Sequence, residues 1–133
     1  MIFQIGVKIL VANEEGEFLV LKRNTEKYPE AGATWDIPGG RIEVGTPLIE
    51  NLARELREET GLTLLGNPDL VYAQDILKNE EKHVVRLTYI GKAEGEIVLD
   101  IKENTEYAWK SKTALLSMSD LDQYLREALL KLD

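Results

Sequence analysis

The chain has 133 residues, 44% of them hydrophobic and 30% charged, with 16 basic against 24 acidic side chains and a formal net charge of −8. That length suits one domain with its own core, and the acidic balance opposes sequence-independent binding to a nucleic-acid backbone. With no cysteine, disulfides, thiolate chemistry and Cys-ligated zinc are excluded, and no apolar run approaches the ~18 residues of a membrane span.

In the opening segment MIFQIGVKILVA, Phe3, Ile5, Val7, Ile9 and Val11 alternate with more varied neighbours and Lys8 interrupts the run, so it is read as a strand rather than a signal peptide. A turn at Asn13-Glu-Glu-Gly16 leads into a second strand, Glu17 to Arg23, and predicts a hairpin. Residues 24 to 34 carry Asn24, Pro29 and Gly32 without a period and read as a loop, which leads into the short segment Thr34-Trp-Asp-Ile-Pro-Gly-Gly40. The clearest helix follows, with Thr46 as N-cap, Pro47 at the first helical position and Gly61 just past the end. Its buried stripe is Leu48, Ile49, Leu52, Ala53 and Leu56. Strand-like runs at Asp69 to Leu77, His83 to Lys92 and Glu96 to Asp100 precede a short fourth at Glu106 to Lys110. A terminal helix capped by Ser119 carries the stripe Leu121, Tyr124, Leu125, Ala128, Leu129 and Leu132. This order predicts an α/β (α+β) protein, a mixed β-sheet between helices, folded as a single domain over residues 1–133. The expected compartment is the cytoplasm, and the expected state a monomer or homodimer.

On a helix at about 100° per residue, Glu55, Glu58 and Glu59 share one ridge beside the apolar stripe, with Arg54 one turn before Glu58. Three carboxylates so close repel one another unless a cation compensates them, and Arg54 alone cannot balance all three. Hard divalent cations that take oxygen ligands, Mg²⁺ or Mn²⁺, match this set. The same charges would also be satisfied as a solvated, salt-bridged helix face. The Gly39-Gly40 pair ahead of the helix favours the metal reading, because glycines let backbone amides and carbonyls approach an ion or phosphate closely.

The segment Gly40-Arg-Ile-Glu-Val-Gly-Thr-Pro-Leu-Ile-Glu-Asn-Leu-Ala-Arg-Glu-Leu-Arg-Glu-Glu-Thr-Gly-Leu62 resembles the signature of the Nudix hydrolases. Gly40, Arg54, Glu55, Leu56, Glu58, Glu59, Gly61 and Leu62 all fall in register with it. One position departs, with Thr46 where the family usually has an outer supporting glutamate; Glu43 is near enough in sequence to offer a substitute carboxylate. Trp35-Asp-Ile-Pro-Gly-Gly40 and Glu103-Asn-Thr-Glu-Tyr-Ala-Trp109 are also similar to segments of that family.

The resemblance implies the Nudix fold and Mg²⁺-dependent cleavage of a diphosphate linkage, with Mn²⁺ as a substitute. It implies that Gly40, through its carbonyl, and Glu55, Glu58 and Glu59 hold the metal, and that Arg54 orients Glu58. The water-activating base would be Glu55 or a glutamate from the 100–106 loop, Glu106 before Glu103. Arg23 and Arg41 are candidates to meet phosphate oxygens. Trp35, Tyr28 and Tyr72 are candidates to stack a base, or else core and rim packing. His83 is read as an exposed structural residue. The short chain is nearest the MutT-type enzymes, and the expected reaction takes a (d)NTP or an oxidised dNTP to the monophosphate and pyrophosphate. Cleavage of ADP-ribose, an NDP-sugar or a dinucleoside polyphosphate is the alternative, and a catalytically weak nucleotide-binding module is a third reading. The expected partner is a small nucleotide, with neither nucleic acid nor membrane.

Overall fold

A computed structural model describes residues 1–29 and 32–132. Two residues of the 24–34 loop, Glu30 and Ala31, and the terminal Asp133 of the expected domain lie outside the described residues. The strands are β1 (Ile2–Val11), β2 (Phe18–Arg23), β3 (Trp35–Asp36), β4 (Gly39–Arg41), β5 (Thr63–Asn79), β6 (Lys82–Glu94) and β7 (Asn104–Lys110). The helices are α1 (Leu48–Thr60), α2 (Lys112–Leu116) and α3 (Gln123–Leu130).

Two sheets form, in the orders β4-β1-β6-β5 and β3-β2-β7. The first is mixed, because β1 runs parallel to β6 from Ile2↔Lys82 to Val11↔Gly91 but antiparallel to β4. The expected β1–β2 hairpin does not form as a strand pair. Both edges of β1 are taken by β4 and β6, so after the turn at Asn13 the chain keeps only the bridge Ala12↔Phe18 before β2 enters the second sheet. The strand alternation then divides the core in two. Val7, Ile9, Val11, Leu19 and Leu21 pack with Leu52 and Leu56 of α1, whereas Leu10, Phe18 and Val20 pack with Leu115, Leu125 and Leu129 of α2 and α3. Helices therefore cover both faces.

Several boundaries differ from the periodicity reading. Pro47, with ψ 152, holds the N-cap position of α1, and no side chain caps it, so Thr46 lies one residue outside. The fully buried Asn51 closes that end instead: its amide donates to the Thr46 and Pro47 carbonyls at 2.8 Å, and its oxygen accepts from the Glu43 N–H at 3.0 Å. Asn51→Ala strands those groups and is expected to cost about 2 kcal/mol, read as a lower urea midpoint with an unchanged slope. At the other end Gly61 adopts φ 77 and its N–H bonds back to the Arg57 carbonyl, as expected of a C-terminal glycine.

The run Glu96 to Asp100 is not a strand. Its Val98 and Asp100 amides donate to the Thr60 and Glu59 carbonyls, at 2.8 and 3.3 Å, and so satisfy the end of α1. Ser119 does not cap α3. That role falls to Asp122, whose Oδ2 accepts from the Tyr124 and Leu125 amides at 3.0 and 2.9 Å, because Leu121 is drawn into a short bridge beside Trp35. The short helix α2, capped by Ser111, was not anticipated from the sequence.

Candidate active site

The site is assembled where α1 crosses β4. Gly39 has φ +145, and a Cβ there would stand 2.0 Å from the Val7 carbonyl oxygen, so only glycine can pass at that point. Its amide donates to Glu59 Oε2 at 2.7 Å. At Gly40 a Cβ would fall 2.8 Å from the Glu55 carboxyl carbon. The glycine pair is thus a strand whose bare backbone admits two carboxylates from α1.

Arg54 lies along the same ridge. Its Nη1 reaches Glu55 Oε1 at 3.1 Å and Glu58 Oε2 at 3.4 Å, and its Nη2 reaches Asn51 Oδ1 at 3.1 Å and Glu43 Oε1 at 3.8 Å. Burial pushes the Glu59 carboxyl up to about 7, against the opposing pull of Lys8 and the Gly39 amide. Burial also raises Glu55, a shift that Arg54 partly offsets.

Among the described residues, no three carboxylate or imidazole side chains are closed into a ready metal cage, because Arg54 stands between Glu55 and Glu58. The donors nevertheless suit a hard divalent cation: hindered carboxylates meet a bare glycine backbone, and burial makes their charge costly until a cation enters. A stability effect follows. Below the ordinary glutamate range Glu59 is protonated in both folded and unfolded chains; as pH rises toward 7 the unfolded chain ionises first, so the folded state loses stability. Metal-free protein is expected to lose roughly 2–3 kcal/mol from this group between pH 4.5 and 7. Added Mg²⁺ should therefore raise the melting temperature more at pH 8 than at pH 5, as calorimetry would record.

These groups line one cleft of about 990 Å³. The structure brings Gly40, Glu55, Glu58 and Glu59 into its lining together with Arg23, Arg41, Tyr28 and Glu103. It leaves out three candidates, Glu106, Trp35 and Tyr72. Glu106 sits on β7 opposite Lys22, with its carboxylate 3.3 Å from the Lys22 ammonium and mostly exposed. Trp35 packs on the α2–α3 core. Glu103 is on the rim, bound by Lys27 and, at 2.7 Å, by the Tyr28 hydroxyl, and these hydrogen bonds hold its carboxyl below the usual range. Tyr28 also lies under the Arg23 guanidinium, 5.2 Å from the ring centre. Tyr72 bonds Glu127 of α3, and His83 bonds Asp75 at 2.7 Å and meets Phe3 edge-on, all outside the cleft lining.

Three charged groups at the cleft were not picked out from the sequence. Lys8 points from β1 to the Asp36 carboxylate at 3.3 Å and the Ile37 carbonyl at 3.1 Å. Arg86, only 5% exposed, bonds Asp36 at 2.9 and 3.1 Å and Asp122 at 3.3 Å. Burial alone would raise the Asp36 carboxyl, but Arg86 and Lys8 hold it far below the usual range. The available signal was Lys8 as the one cation of β1 and Arg86 set between apolar neighbours, Val84, Val85 and Leu87, in β6.

The NUDIX domain family model matches residues 2–131. The crystal structure of a MutT protein from Methanosarcina mazei Go1 is 33% identical and superposes with a TM-score of 0.82, covering 97% of this chain and 91% of that one. A putative 8-oxo-dGTP diphosphatase of Bacillus subtilis is 28% identical over 80% of this chain and 65% of its own length. An RNA pyrophosphohydrolase of Bartonella bacilliformis is 28% identical over 81% of this chain and 76% of its own. Against two of the curated relatives it matches, the chain spans 62% and 65% of their length.

Proposed function

This chain belongs to the Nudix hydrolase family, and we propose that, as one domain, it hydrolyses the diphosphate linkage of a nucleoside triphosphate to the monophosphate and pyrophosphate, an oxidised dNTP included. The observation that carries this reading is the convergence of the Glu55, Glu58 and Glu59 ridge with the Gly39–Gly40 backbone on a cleft that also holds Arg23 and Arg41. Members of the family use divalent cations. Here Glu55, Glu58, Glu59 and the Gly40 carbonyl are the groups to hold Mg²⁺, with Mn²⁺ as a substitute. The bound ion would neutralise phosphoryl oxygens and lower the pKa of an attacking water.

The chain's own residues supply the rest. Arg54 bridges Glu55 and Glu58 and keeps both on the cleft side of α1. Arg23, at the end of β2, and Arg41, at the end of β4, provide guanidinium donors to phosphate oxygens. For the base, Glu55 is the favoured group. It abuts the Gly40 backbone and its raised pKa suits proton acceptance. Glu103, neutralised by Lys27 and Tyr28, is a weaker acceptor, and Glu106 lies outside the cleft lining.

The test is Mg²⁺-dependent product release from a panel of dNTPs, oxidised dNTPs, ADP-ribose and dinucleoside polyphosphates. Pyrophosphate and monophosphate from the triphosphates support the proposal. Cleavage confined to ADP-ribose or dinucleoside polyphosphates would move the substrate assignment, and tight nucleotide binding without turnover would reject the hydrolytic reading.

A further inference from the structure

A side groove of about 170 Å³ adjoins the cleft, lined by Arg41, Ile76, Lys78, Asn79, Lys82 and Val84. Arg41 and Lys78 line both spaces. The placement follows from the β5–β6 pairing, whose register shifts between Ile76 and Asn79. Lys82 and Val84 of β6 project to one face of the first sheet, Ile76 stands beside Val84 and Asn79 beside Lys82, and the irregularity between those pairs lets both Lys78 and Asn79 reach the groove. The acids of the connecting turn, Glu80 and Glu81, are not in the groove lining.

Three cations therefore meet in one concavity of a protein whose net charge is −8. Among the described residues, no carboxylate lies within ion-pair distance of Arg41, Lys78 or Lys82. The Arg41 hydrogen bond runs to a neutral group, Gln4 Oε1, at 3.2 Å. By contrast Arg86, farther along the same face of β6, is spent on Asp36 and Asp122. Like charges gathered without a counter-charge repel one another, and an anion entering the groove relieves that repulsion.

The groove meets the glutamate cleft at Arg41, and its Lys82 end lies away from the glutamate ridge. Along β1, Gly39 stands opposite Lys8, Arg41 opposite Gly6, and Lys82 beside Ile2. From Lys8 to Ile2 those six residues of strand amount to ~20 Å, so a diphosphate held at Glu55 and Glu58 meets the Arg41 end of the groove and does not extend to Lys82. We propose that this groove is an anion subsite for a phosphate that the substrate carries beyond its scissile diphosphate. That phosphate is either on the ribose or the link to a second nucleotide. The inference rests on the nucleotide-hydrolase reading for its orientation, but it is tested by binding and needs no turnover.

The experiment is calorimetric titration, at low ionic strength, of three product-like ligands: a nucleoside 5′-monophosphate, the matching 3′,5′-bisphosphate and a 5′-phosphorylated dinucleotide. The second phosphate is expected to tighten binding about five- to tenfold, with the gain shrinking as salt rises. A gain with the bisphosphate alone assigns a terminal ribose phosphate, and a gain with the dinucleotide assigns an internucleotide one. Lys82→Glu should abolish the gain and leave monophosphate binding within about twofold. Lys82→Met keeps the aliphatic stem, guards against a folding defect, and should remove much of the gain. Equal affinity for all three ligands, or a gain that survives the Lys78→Glu/Lys82→Glu pair in folded protein, would overturn the proposal. A gain seen in protein that hydrolyses no nucleotide would leave the subsite standing and reject the hydrolytic reading instead.

Discussion

Glu58→Gln is expected to lower kcat for the nucleotide substrate ~10²–10³-fold while the thermal midpoint stays close to that of the unaltered protein. The side chain is 59% exposed, and its one ion pair among the described residues is with Arg54 at 3.4 Å, an interaction worth at most about 0.5 kcal/mol. The amide keeps shape and volume but removes the negative charge that a divalent cation needs. Steady-state kinetics across a Mg²⁺ titration provide the check. Loss of rate with a rightward shift in the Mg²⁺ requirement places Glu58 on the metal, whereas unchanged kinetics would remove it from the site. The same substitution at Glu59 reads less cleanly, because that carboxyl also accepts the Gly39 amide and neutralising it changes stability.

Arg86→Met is expected to destabilise the fold by about 3–5 kcal/mol, the usual consequence of leaving a buried charge without its partner. Against a total of roughly 5–15 kcal/mol for a domain, that is a large share. Arg86 joins Asp36, which ends β3 just ahead of the glycine strand, to Asp122, which caps α3. One guanidinium on β6 thus fixes both walls of the cleft. Without it, Asp36 keeps only Lys8 as a compensating cation.

The pH dependence gives a second reading of the same bond. A carboxyl held below its ordinary value stabilises the fold fully above that value and loses the contribution as pH falls. The unaltered protein should therefore keep the Asp36 contribution well below pH 4, and Arg86→Met should lose much of it. Urea denaturation at pH 7 and again at low pH measures both effects, and a loss under about 1 kcal/mol at pH 7 would mean that the network is only a surface-grade ion pair.

Much of the chemistry was legible from residue order because it depends on local spacing. Glu55, Glu58 and Glu59 share a ridge on any α-helix, Gly61 ends that helix through its own φ, and Gly39-Gly40 marks a close approach whatever approaches it. Strand alternation at Val7, Ile9 and Val11 was equally local, and so was the apolar stripe of α1.

Other features could be decided only by tertiary structure. The Asn13 turn fixes the reversal between β1 and β2, but their pairing depended on β4 and β6 competing for the edges of β1. Whether Glu103 or Glu106 reaches the cleft turned on the β7 register against β2, which sets Glu106 beside Lys22 and leaves Glu103 with Lys27 and Tyr28 on the rim. Trp35 became core because its strand packs on α2 and α3. Lys8 and Arg86 gained their roles from carboxylates 28 or more residues away. Spacing within one helix or strand is set by backbone geometry and can be read from the sequence. Partnership between distant charges is set by how the layers dock, which no local pattern encodes.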